Sequence, residues 1–141
     1  MKLFVDTWGW VAVADRGEPG HEAATEIFRQ ARRSGGAVTS NFILDETFTL
    51  LFKRRPFEDA WHFTINVVRS PFIDIQEVTR ARFSRTIDLR KQFSDKPRIS
   101  FTDLSTMAIM VELGITDILT ADQHFTHVGL GFRALPEGAF R

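Results

Sequence analysis

Hydrophobic positions in this chain fall into two alternating kinds of run. Short and mostly apolar four-residue runs, "KLFV" (2–5), "AVTS" (37–40), "FIDI" (72–75), "DILT" (117–120) and "FRAL" (132–135), read as strands. Between them lie longer stretches with helical patterning: 7–14, 21–35, 41–54, 57–70, 78–93 and the nearly all-apolar "SFTDLSTMAIMVELG" (100–114). Breakers separate the runs: "DRGEPG", the Gly35-Gly36 pair, Pro56, "SDKPRIS" and Gly114. Strands alternating with helices predict an α/β fold with a mainly parallel central sheet flanked by helices. The chain contains no internal repeat, low-complexity segment or linker, so a single domain over residues 1–141 is expected.

In such a sheet, ligands gather outside the carboxyl ends of the strands, where the strand order reverses. Asp6 directly follows the first strand and Asp122 follows the fourth by one residue, so both are expected at this edge. Asp103 opens the helix that leads back into that fourth strand, which turns its N-terminus to the same edge. On the helix at 41–54, with about 100° per residue, Glu46 lies between Phe42 and Leu50 at the border of the apolar arc. Asp45 points about 100° further round, into the polar sector, leaving Glu46 as the acid that leans inward.

Each of these acids also has a purely structural reading. Asp103 completes the capping pattern Ser100-x-x-Asp103, and Asp122 in "TADQHF" is suited to capping a short turn. Glu46 alone fits a surface position. Asp6 is harder to explain in this way, because an unpaired carboxylate between an apolar strand and an apolar helix is costly. Taken together, the four change the picture. Two carboxylates about 4 Å apart repel by roughly 4 kcal/mol at an effective dielectric near 20, so converging acids need protons or a cation. Lys2 is the only Lys or Arg within four positions of Asp6 or Asp122. A hard divalent ion with oxygen ligands, Mg²⁺ or Mn²⁺, is the natural counter-charge, with Asp6 and Asp103 foremost and Asp122 and Glu46 binding directly or through water.

Composition narrows the chemistry further. The chain lacks Cys, which excludes disulfides and thiolate metal sites, and His21, His62, His124 and His127 show no spacing typical of an imidazole site. His124 reads as a packing or turn-capping residue. Fourteen Phe and three Trp with no Tyr predict an aromatic core with few hydroxyls. No run approaches the roughly 18 apolar residues of a membrane span, and Asp6 interrupts any signal-peptide pattern, so a cytoplasmic protein is expected. The net charge is zero, yet residues 29–98 hold 14 of 18 bases and 8 of 18 acids. That excess either coats solvated helix faces or forms a basic surface for a polyanion beside the acidic edge.

Four segments, "FVDTWGW", "TSNFILDE", "SFTDLSTMAIM" and "ILTADQHF" with the following Gly-Phe, resemble the PIN-domain ribonucleases, in particular the VapC-like toxins of toxin–antitoxin modules. The resemblance runs from residue 2 to about residue 135. It implies that Asp6, Glu46, Asp103 and Asp122 are the family's catalytic and metal-binding acids, with Thr120 as the hydroxyl that steadies them. It further implies Mg²⁺-dependent cleavage of RNA, inhibition by a cognate antitoxin and a homodimer. Trp8 stands where the family commonly has a small residue, and Leu104-Ser105 replaces a frequent alanine-rich start.

A different class of function, a PIN-like module that binds RNA or protein without cleaving, would have no need of four acids. A response-regulator site would want an acid pair after the first strand and a Lys after the last. Here Asp6 is alone, and no Lys lies beyond Lys96. The Phe-rich stretch at 42–72, including Phe57, Trp61 and Phe63, either fills the core or forms the dimer interface.

Overall fold

The computed structural model describes residues 1–137. Five short strands are connected by seven helices: β1 (Leu3–Val5), α1 (Thr7–Ala14), α2 (His21–Ser34), β2 (Ala37–Ser40), α3 (Asn41–Arg54), α4 (Phe57–Arg69), β3 (Ile73–Gln76), α5 (Arg80–Gln92), α6 (Phe101–Leu113), β4 (Asp117–Leu119), α7 (His124–His127) and β5 (Arg133–Leu135). The strands form one sheet in the order β3-β2-β1-β4-β5, and all four pairings are parallel. The α/β architecture expected from the alternating runs is therefore present, and α7 is the one helix the patterning did not foresee.

The topology fixes where a site can form. From β1 the chain moves outward to β2 and β3, then crosses back to β4 on the other side of β1. Right-handed crossovers put α1 to α4 on one face of the sheet and α5 and α6 on the other, and the order reverses between β1 and β4. Asp6 leaves β1 at this reversal, and its backbone N–H donates to the Leu119 carbonyl of β4 at 3.3 Å.

The central strands read as continuous apolar runs because both their faces are covered: every residue of β1 and β2 is buried, whereas edge strand β3 exposes Asp74 and Ile75. Helix α6 is buried all round from Leu104 to Met110 and stops at Gly114, whose φ of 69° is open to glycine at little cost. Each fully buried Leu, Ile or Met in it contributes about 1.5–3 kcal/mol.

The core is less aromatic than composition suggested. Phe4, Phe93, Phe125, Phe132 and Trp10 are buried, while Phe57, Phe72 and Phe83 are exposed. Buried hydroxyls are also common, and some of them tie elements together. Trp10 Nε1–H donates to Thr39 Oγ1 at 3.1 Å, and the Thr39 hydroxyl donates to the Val5 carbonyl at 3.0 Å, tying α1, β2 and β1 together.

Helix α1 sits unusually close to the sheet, and Gly9 is the reason. A Cβ on Gly9 would lie 2.8 Å from both the Leu119 carbonyl oxygen and Val5 Cγ1. Gly9→Ala is therefore expected to push α1 off the sheet and cost about 1–3 kcal/mol, the usual range for overpacking. A lowered midpoint in urea denaturation with an unchanged slope is the measurement that checks it.

Candidate active site

Four elements deliver the acids anticipated from the sequence to one open cleft of about 580 Å³. Its walls include Asp6, Glu46, Asp103 and Asp122, together with Thr7, Trp8, Arg54 and Arg98. Asp45, as anticipated, stays out of this cleft and lines an adjacent one with Lys53 and Thr49.

Asp6 is the most buried of the four, at 6% exposure. It caps α1 in extended conformation, and its Oδ1 accepts the Gly9 N–H at 2.9 Å. The buried Thr120 hydroxyl hydrogen-bonds the Asp6 side chain and also accepts the Asp122 N–H at 2.9 Å. One hydroxyl thus links the acids that leave β1 and β4. Asp103 enters from the first turn of α6. Ser100 caps this helix, accepting the Asp103 N–H at 3.0 Å, so the backbone half of the capping pattern is present. The Asp103 carboxyl instead hydrogen-bonds that of Asp122, which requires a shared proton. Glu46 is exposed and stands at the mouth, close enough for its charge to act on both Asp6 and Asp103.

Repulsion in this group is visible in its proton affinities. Burial, the largest cause, raises Asp6 from 3.8 to about 7, against the opposing hydrogen bonds of Thr120 and Gly9. Asp103 rises to about 8, first from burial, then from the hydrogen bond and charge of Asp122, with Asp6 and Glu46 adding to it. No arginine offsets either shift. Arg54 and Arg98 are brought to the cleft by the fold, but neither forms an ion pair with an acid among the described residues.

The tightest grouping differs from the expected emphasis on Asp6 and Asp103. One ligand atom each from Asp103, Asp122 and His124 lie within 4.8 Å of one another. His124, read from the sequence as a packing or turn-capping residue, stands two residues after Asp122 and beside this pair of acids. The donor set suits a divalent cation on several counts. Carboxylates repel one another with no arginine countering them, and both the Thr7 Oγ1 and the His124 Nδ1 are buried without a hydrogen-bond partner. Thr7 lines the same cleft.

Known proteins share both the sequence pattern and the fold. The sequence profile of the PIN domain matches residues 3–130. The chain is 30% identical over 133 residues to the 23S rRNA-specific endonuclease VapC20 of Mycobacterium tuberculosis, covering 90% of this chain and 94% of that one. The crystal structure of M. tuberculosis VapC20, described as a Sarcin-Ricin loop cleaving toxin, superposes with a TM-score of 0.80 at 26% identity, covering 90% and 95% of the two chains. VapBC2 from Rickettsia felis, bound to a DNA fragment from its promoter, shares the fold with a TM-score of 0.74 at 14% identity over 95% and 97% of the chains.

The raised acids make stability depend on pH in a defined direction. Above the unfolded value of 3.8, the folded protein holds protons on Asp6 and Asp103 that the unfolded chain has released. Stability without divalent ions is therefore expected to be greatest at the acidic end of this window. It should fall as pH rises towards the folded values of about 7 and about 8. Melting curves in EDTA across this range should show the fall, and an Asp6→Asn, Asp103→Asn double variant should flatten it.

Proposed function

The chain belongs to the PIN-domain family, and from that premise we propose that it is a divalent-metal-dependent endoribonuclease, the toxin of a type II toxin–antitoxin pair. The observation that carries this reading is the convergence of Asp6, Glu46, Asp103 and Asp122 on one cleft at the β1/β4 reversal. A merely structural cluster gains nothing from holding Asp6 and Asp103 in raised, mutually repelling states.

Asp103 and Asp122 would hold the ion, with Asp6 behind them and Glu46 at the mouth; Mg²⁺ and Mn²⁺ are the candidates. When bound, the ion supplies positive charge to the phosphodiester oxygens and acidifies an attacking water. Asp122 or Glu46, the latter exposed at the mouth, would orient that water or take its proton. Thr120 fixes the spacing between Asp6 and Asp122 through its two hydrogen bonds. Arg54 and Arg98, on the cleft wall and without an ion pair among the described residues, would hold phosphates flanking the scissile one.

The substrate is RNA, and the relative that cleaves 23S rRNA supports this choice over DNA. A cognate antitoxin as inhibitor is supported by the fold shared with VapBC2. Among the described residues, no helix is long and apolar enough to cross a membrane.

The test is digestion of labelled total RNA by protein freed of any co-purifying antitoxin. We expect cleavage in Mg²⁺ or Mn²⁺ that EDTA stops. Asp6→Asn or Asp103→Asn should reduce it on the order of 100-fold or more, given that losing even an outer partner of a metal site costs 10–100-fold. Mn²⁺ at about 100 times its Kd should add about 2.7 kcal/mol to wild-type stability and nothing to the double variant. RNA binding with no cleavage under any divalent ion would instead favour a silent binding module.

A homodimer forms the second part of the proposal, and its support is the apolar face of α4. Phe57 is 61% exposed and stacks at 6.0 Å on Trp61, itself 45% exposed. Phe63 turns inward, packing edge-on to Trp10 at 6.1 Å, so it belongs to the monomer's interior. We expect light scattering to give a dimer mass at micromolar concentration and Trp61→Glu to halve it; a monomeric wild type counts against the dimer.

A further inference from the structure

We propose that His124 is a ligand of the same metal centre, and that its imidazole makes the site a mixed nitrogen–oxygen one that favours first-row transition ions over Mg²⁺. The proposal rests on the carboxylate centre described above and concerns which donors complete it.

Three observations lead here. First, His124 belongs to the tightest group of ligating atoms, all within 4.8 Å, with Asp103 and Asp122. Donors about 2.1 Å from a common ion are separated by roughly 3–4 Å, so small side-chain adjustments would bring this set onto one ion. Second, the ring is not used by the turn it sits on. The turn is closed by the His124 backbone N–H, which donates to Asp122 Oδ1 at 2.8 Å. Third, the Nδ1 atom is buried and makes no hydrogen bond. Nδ1 lies 3.1 Å from the same Asp122 Oδ1, yet the contact is not directed as a hydrogen bond and Nδ1 has no other partner. A histidine serving only to orient Asp122 would aim its N–H at the carboxylate and be satisfied by it.

The other histidines are committed or remote. His21 Nδ1 bonds the Ala12 carbonyl at 2.6 Å, His62 sits 4.0 Å from Glu58 on the surface of α4, and His127 is exposed. The choice of donor decides the choice of ion. Mg²⁺ keeps oxygen ligands and waters, whereas first-row transition ions accept imidazole increasingly well from Mn²⁺ to Cu²⁺. With one nitrogen among its donors, the centre discriminates between ions that an all-carboxylate site would treat more alike.

The deciding experiment uses Mn²⁺ as a paramagnetic probe of the intact protein. Electron spin echo modulation of the Mn²⁺-loaded wild type should show coupling to ¹⁴N, and the coupling should vanish in His124→Ala. Calorimetric titration should show Mn²⁺ affinity falling by about 10-fold or more in His124→Ala, within the range for partners of a metal site, with Mg²⁺ affinity changed less than about 2-fold. The metal-free melting temperature of the variant, expected to match the wild type, separates lost binding from lost folding. Should the variant not fold, the presence or absence of coupling in the wild type still decides. Mn²⁺ bound without nitrogen coupling, or coupling that survives in His124→Ala, overturns the proposal and leaves the carboxylate centre standing. No Mn²⁺ binding at all overturns both.

Discussion

A carboxylate with 6% of its surface exposed, set between the central strand and a wholly apolar helix, is the constraint around which the rest of this molecule is arranged. Asp6 survives there because its oxygens are met by the Gly9 N–H and the Thr120 hydroxyl. Both partners depend on tight geometry. Gly9 lets α1 approach within contact of Leu119 and Val5, and Thr120 leaves β4 in register beside β1. The hydrogen bonds lower the cost of charge but do not cancel it, and the acid remains far more basic than in water. Folding energy from the buried strands and from α6 therefore sustains a site that is electrostatically unhappy without a cation. That is the condition under which an ion binds strongly to a preformed cavity.

The charges elsewhere divide into structural and available groups. Arg82 pairs with Glu112 at 2.6 Å and joins α5 to α6, and Arg133 chelates Asp117 and fastens β5 to β4. Arg90 donates to the carbonyls of Phe93, Lys96 and Ile99, holding the loop that leads into α6 and so positioning Asp103. Arg55 pairs with Asp15 and Asp59. The basic excess of residues 29–98 is thus partly consumed by the scaffold. Of the remainder, Arg54 and Arg98 reach the acid cleft and Lys53 reaches its neighbour.

Much of the architecture was legible in the chain, because strand and helix periods are local properties. The apolar runs at residues 2–5 and 37–40, the stop at Gly114 and the break at Pro56 each act over a few residues, and each marks an element within one or two positions. Parallel order follows from the same alternation, and with it the edge where Asp6 and Asp122 emerge. What the sequence by itself determined was therefore the fold class, the element order and the side of the sheet on which the acids lie. Three things were decided only by tertiary structure. Asp103 and Asp122 come together through their side chains, Arg54 and Arg98 stand beside them with no ion pair among the described residues, and the His124 Nδ1 lies against Asp122 without a hydrogen bond. Each depends on the distance between side chains from different elements. Such distances are set by how closely α1 and α6 pack on the sheet, and no periodicity along the chain encodes them.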